Sequence, residues 1–249
     1  MKTIRSWSGA AFGAAVLVSM LAVGARADHA MVLGRTGLPT VRDGQEKIWI
    51  ETGTVELQPM GNDLIVTQTF DLRYPEKPVE NNPLVAKIAV REDYYRAIDK
   101  DTPTVKDVEA KGFTEFDVTV DGEKVSSMTE PWKINDKKDT ATRWRVFVVN
   151  FEPGQHRTVK IVSKAPLGEK GDRKTVEFVS KDIGHWRQPP DNLVIRYVPM
   201  DGSGVKTVGV EPKPKDGDDT KIEWKYEKAS PDRDVYIVMP PAKSAKAAG

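Results

Sequence analysis

The chain has 249 residues, with 38 Lys and Arg against 37 Asp and Glu and a formal net charge of +1. Charge so balanced and interleaved argues against a nucleic-acid or anionic-membrane partner, both of which need a basic excess on one face. The absence of cysteine excludes disulfide staples, thiolate metal sites, thiol nucleophiles and a lipid-anchored amino terminus.

The chain opens on an export pattern. Lys2 and Arg5 precede an apolar run of about 15 residues, Ala10 to Gly24, and Ala25-Arg26-Ala27 supplies an A-x-A cleavage site. Residues 1–27 therefore read as a signal peptide whose removal leaves Asp28 at the amino terminus. A membrane-spanning helix needs about 20 apolar residues, and no second run follows to serve as a span after cleavage. Removal takes away Lys2, Arg5 and Arg26, leaving 35 basic and 37 acidic residues, a formal net charge of −2. The expected location is periplasmic or secreted. The 222 remaining residues suffice to bury a core without staples.

The body reads as strands. The first is expected over 46–59. In DLIVTQTFDLRY, Asp63 to Tyr74, Leu64, Val66, Phe70 and Leu72 fall on one face and Thr67, Thr69, Asp71 and Arg73 on the other. That period of two means one face on the core and one in water, as in an antiparallel sheet. A strand follows at 84–90. Glu92 to Ile98 can form a helical turn or two. Thr102, with Pro103 after it and Gly112 at the far end, can cap a short helix. The insertion over about 91–112 is thus expected to cross one end of the fold.

Phe116, Val118 and Val120 alternate before Asp121-Gly122, a hairpin-turn pair, and the chain resumes at Glu123-Lys124-Val125. Strands are expected at 141–151 and 156–164. The alternating charges of GEKGDRK, Gly168 to Lys174, read as a solvated loop, and 165–173 is the candidate sub-boundary within a domain spanning 28–239. Further strands are expected at 174–180, 192–199, 204–210, 221–227 and 233–239. In KIEWKYE, Ile222, Trp224 and Tyr226 oppose four charged residues. The tail over 240–249 has no hydrophobic period and is expected to be disordered. These runs predict an all-β protein: a mainly antiparallel β-sandwich of about ten strands with one short helical insertion.

Chemistry-bearing motifs are sparse. The three histidines, His29, His156 and His185, share no metal-ligand spacing, so a zinc site would have to be assembled from remote loops. There is no G-x-S-x-G elbow, and Ser203 between two glycines reads as a turn. A glycosidase needs two carboxylates about 5 to 10 Å apart, and 37 acids nominate no pair. Asp216-Gly217-Asp218-Asp219 lacks calcium-loop spacing and reads as a turn. No cofactor is called for, and no catalytic residue is nominated.

The tryptophans remain. Trp49, Trp144 and Trp224 lie in strands with apolar partners two residues away and read as core. Trp132 and Trp186 sit in connecting segments, where an aromatic can stack on a sugar or anchor a protein partner. Trp186 can instead fold back and plug one end of the sandwich. The candidate ligand-binding residues are His185, Trp186, Arg187 and Trp132, with Arg187 able to stack on a ring or take a carboxylate.

The order VELQPMGNDLIVTQTF, FDVTVDGEKV, FEPGQHRTVKI, VEFVSKDIGHWRQPPDNLVI resembles that of uncharacterised bacterial extracytoplasmic β-sandwich proteins. In these a G-x-x-x-x-V-x-I strand precedes a strand–Trp–strand segment. The resemblance covers most of 46–239. It implies an exported all-β protein and transfers no catalytic residue.

The functional expectation is an exported, non-catalytic binding or assembly module of the envelope, with an envelope protein or a glycan as partner. A protein partner requires an exposed apolar patch or an unpaired edge strand. A carbohydrate-binding module or glycosidase requires a groove with two exposed aromatics, Trp186 or Trp132 among them, and a nearby acid pair. A metal-dependent protein requires three ligands drawn from His29, His156, His185 and aspartates.

Overall fold

The computed structural model describes residues 35–43, 47–76, 82–95, 113–135, 140–170, 172–181, 186–199, 207, 209–214, 216–218 and 221–240. The signal peptide expected over 1–27, His29, the helix expected over 102–112, His185, Ser203 and the tail from 241 lie outside them.

Among the described residues the chain is a two-sheet β-sandwich with no α-helix. The strands are β1 (Arg35–Gly37), β2 (Thr40–Asp43), β3 (Trp49–Met60), β4 (Asp63–Arg73), β5 (Leu84–Tyr95), β6 (Glu115–Val120), β7 (Glu123–Lys124), β8 (Met128–Thr129), β9 (Lys133–Asn135), β10 (Thr140–Phe151), β11 (His156–Pro166), β12 (Gly168–Lys170), β13 (Arg173–Val179), β14 (Asn192–Tyr197), β15 (Gly209–Glu211), β16 (Asp216–Asp218), β17 (Lys221–Glu227) and β18 (Val235–Val238). The first sheet runs β15-β18-β13-β1-β5-β10-β8, with β12 on β13, β2 on β5 and β9 on β10. The second runs β16-β17-β14-β3-β4-β11-β6-β7. Pairing is antiparallel except for β1 with β13 and β3 with β14. Each sheet thus joins strands from both sides of 165–173.

The eighteen described strands exceed the ten expected because many are edge pieces of two to four residues, too short to show a period. GEKGDRK, expected as a loop, is the β12–β13 hairpin: Glu169 and Lys174 face each other in register and form an ion pair. Asp216-Gly217-Asp218, expected as a turn, is a strand on β17. The turn expected from Glu92 onward is replaced, up to Tyr95, by a continuation of β5, which pairs with β10 along its whole length.

Alternation builds the core. Strand β4 buries every second residue from Leu64 to Leu72, and β10 contributes Phe147, Val149 and Phe151 from the facing sheet. Each such apolar side chain contributes about 1.5–3 kcal/mol by leaving water. At Gly53 the flanking strands leave no room, because a Cβ there would lie 2.9 Å from side-chain carbons of its partners Leu193 on β14 and Phe70 on β4. Gln68, fully buried, donates from Nε2 to the Gly37 carbonyl at 3.2 Å and so bridges the two sheets. The β3–β4 register slips between Ile50 and Thr52. This bulge adds Glu51 to the outer face beside Thr52, a device that re-aims side chains.

Candidate functional site

Register places one row of polar side chains across the outer face of the second sheet. Trp49 on β3 pairs with Arg73 on β4, and Arg73 pairs with His156 on β11. The bulged Glu51 serves this row: its carboxylate lies 3.5 Å from Arg73 Nη1 and 3.0 Å from His156 Nδ1. Arg73 and Arg187 both hold their guanidinium carbons over the Trp49 ring, at 5.6 and 5.5 Å from its centre. The backbone N–H of Arg187 donates to the Ile48 carbonyl at 3.3 Å, which fixes the segment carrying it. Among the described residues no carboxylate lies within ion-pair distance of Arg187.

Trp49, expected in the core, is therefore half-buried and stacked. Trp144, expected there too, is also half-buried, with Arg42 at 4.7 Å and Arg91 at 6.0 Å from its ring centre. Both expectations fail for one reason. An apolar neighbour two residues away does not distinguish the inner face from an outer face lined with arginines, whose stems pack on an indole as well as an aliphatic side chain does. Trp224 is buried as expected.

Of the four candidates, Arg187 is exposed and Trp186 is buried in the core cluster, its indole N–H donating to the Pro39 carbonyl at 3.1 Å. Trp132 is half-buried, with Arg143 stacked 4.4 Å from its ring centre. The structure therefore places Trp132 away from Arg187, on a segment leading into β9, which pairs with β10 of the other sheet.

That second location carries a charged cluster. Glu92 on β5 faces Arg143 in register, is almost wholly buried, and accepts from Nε of both Arg143 and Arg145, the latter at 2.8 Å. Arg145 also donates to Thr129 Oγ1 and lies over Phe116. On the opposite face Asp93 accepts from Arg91 at 2.6 Å and from Thr142 at 2.7 Å. Paired this way, the two buried carboxylates tie β5 to the facing residues of β10. The pairing with β10 leaves no signal within residues 91–95, because Arg143, Arg145 and Thr142 lie some 50 positions away.

The far half of β10 is different. Its partner on one side is β5 throughout, while on the other side β9 covers 140–142 and β8 covers 145–146. Even-numbered residues direct their backbone groups away from β5: the Trp144 carbonyl accepts from the Glu130 N–H, and the Asn150 carbonyl accepts from Arg157 Nε. Val148 lies between, with no partner strand for its N–H and C=O among the described residues. Around Lys87, which pairs directly with Val148, the outer surface exposes three apolar side chains: Val148 is 38%, Val85 59% and Met128 66% exposed. Val85 is a diagonal neighbour of Val148 across the β5–β10 pair, and Met128 faces Val146.

Among the described residues no three His, Asp or Glu side chains converge to hold a metal ion, and no helix is long and apolar enough to cross a membrane.

No protein-family model and no curated protein matches the chain. The solved structures supply a likeness of fold. A Legionella pneumophila protein described as a "putative nutrient binding protein" superposes with a TM-score of 0.59 at 14% identity, over 84% of this chain and 72% of that one. Yeast LTA4 hydrolase gives 0.40 at 11% identity, over 80% of this chain but 30% of that one. An M1 zinc metallopeptidase of Deinococcus radiodurans gives 0.38 at 10% identity, over 79% and 43%. The Legionella likeness, at 14% identity, shows the fold alone.

Proposed function

We propose that the chain is an exported, non-catalytic binding or assembly module that holds an extended segment of a protein partner against the open edge of β10. One observation carries this reading: the backbone of Val148, without a partner strand on its open side among the described residues, lies beside the exposed side chains of Val148, Val85 and Met128. Unpaired N–H and C=O groups at a sheet edge accept a further strand, and alternate side chains of that strand can pack on the apolar surface. Other edges are short and charged or protected. The Glu123-Lys124 pair of β7 closes the second sheet on one side, and β15 ends at Glu211, before Pro212. The segment 147–151, FVVNF, carries no charge. The export pattern of residues 1–27 supports a place outside the cytoplasm. The Legionella protein's description as a binding protein is compatible with the absence of a catalytic role.

Cross-linking tests the reading. A photoreactive side chain at position 128 should give a discrete adduct with one envelope protein. The adduct should be absent from position 194, on the outer face of the other sheet, and should disappear when Val148 is replaced by Lys. Adducts of equal yield from both positions, or an adduct indifferent to Val148→Lys, would remove the edge from the account. An adduct with a second copy of the chain would replace the partner by self-assembly.

A further inference from the structure

The Trp49 cluster lies on the other sheet and stands independently of the β10 edge. Its hydrogen-bonding inventory is unbalanced. Arg187 presents five N–H donors with no acidic partner among the described residues. Arg73 Nε and the Trp49 indole N–H are buried without an acceptor. Against these donors the cluster sets one carboxylate, Glu51, already engaged by Arg73 and His156. The donors are also well held. Arg187 is anchored through its backbone to Ile48 and lies over an indole that is fixed at the start of β3. A guanidinium stacked on an aromatic ring has lost much of its freedom before a ligand arrives, and its planar fork matches the two oxygens of a carboxylate.

We infer that Arg187, with Trp49 and Arg73, forms a binding site for a small organic carboxylate, whose charged end takes the Arg187 fork and whose apolar body lies against the exposed part of Trp49. Phosphate would use the charge but not the indole. A neutral ring would use the indole but not the fork. The combination selects a carboxylate on a flat or apolar carrier.

The test uses benzoate as probe and the Trp49 indole ¹H–¹⁵N signal, assigned with Trp49→Phe, as readout on the mature chain. Benzoate should shift that signal saturably. Inorganic phosphate and benzyl alcohol should each bind at least tenfold more weakly. Arg187→Gln should weaken benzoate at least tenfold, and Arg187→Lys, which keeps the charge and loses the fork, should weaken it nearly as much. Arg196→Gln, removing another arginine of the same sheet's outer face, should leave it unchanged. Equal affinity for phosphate, or an undiminished response in Arg187→Gln, overturns the proposal. Arg187 is exposed, so loss of folding is not expected in these variants, and retained dispersion of the remaining indole signals verifies it.

Discussion

The indole N–H of Trp186 donates to the carbonyl of Pro39 at 3.1 Å, across 147 positions of sequence. The contact ties the connector between β13 and β14 to the link between β1 and β2. Both parallel pairings of the fold continue beyond their strands here. Leu38 N–H donates to Val179, and Arg187 and Asp191 donate to Ile48 and Ile50. Trp186 thus closes one end of the sandwich where the chain passes between sheets.

Trp186→Ala should therefore destabilise strongly, by about 3–5 kcal/mol, the range for removing a buried large aromatic. Trp186→Phe keeps most of the buried area and loses the donor, so it should cost roughly 1–3 kcal/mol. Urea unfolding of the two variants separates the contributions. Equal stability of Trp186→Ala and the parent would mean that the ring does not plug the core.

The buried Glu92 sits between two arginines, so its removal strands both. Glu92→Ala should cost about 3–5 kcal/mol. Arg143→Ala and Arg145→Ala should each cost less, since Glu92 keeps the other arginine. Thermal unfolding of the three single variants gives the order, and a double-mutant cycle between Glu92 and Arg143 should show coupling well above experimental error.

Gly53 answers a different physical demand. Adding one methyl group at a position 2.9 Å from Leu193 and Phe70 should overpack the core by about 1–3 kcal/mol. Gly53→Ala should lower the urea midpoint with little change in slope. Pairing it with Leu193→Val should recover part of the loss, and a fully additive pair would place the clash elsewhere.

Asp121 gives a pH dependence. Burial alone would raise its carboxyl, but hydrogen bonds from Arg157 at 2.6 Å and from the Thr158 N–H at 2.8 Å outweigh it and hold the pKa below the usual aspartate value. A depressed folded-state pKa contributes stability above the unfolded value, near 4, and that contribution is lost as pH falls through the folded value. Asp121→Asn, which tolerates the positive φ of 51° at this turn, should be less stable than the parent at pH 7. The difference should shrink below about pH 4. Solvent screening keeps it small. A gap that persists unchanged to pH 2 would contradict this.

How much of this was legible in the sequence follows from the range of each interaction. The alternation in DLIVTQTFDLRY and KIEWKYE depends on neighbours two residues apart, and β4 and β17 are where it places them. Asp121-Gly122 carries its own turn chemistry, and both residues take positive φ. The extension of β5 to Tyr95 was not legible, because Glu92 and Asp93 look like turn residues until Arg143 and Thr142 are set opposite them. The same holds for the site. Arg187 was identified as a residue able to stack or to take a carboxylate, but the ring beside it is Trp49, brought there by the parallel alignment of β14 with β3. A parallel pairing between segments about 140 residues apart leaves no local trace.

The open edge of β10 is tested most directly by amide hydrogen exchange of purified residues 28–249, read residue by residue. Along Phe147 to Asn150 the account predicts alternating protection. Phe147 and Val149 N–H, directed at β5, exchange slowly. Val148 and Asn150 N–H, directed at the open side, exchange faster by orders of magnitude. Uniform slow exchange across all four would show that the edge is already covered, and would contradict the proposal that a partner strand pairs there.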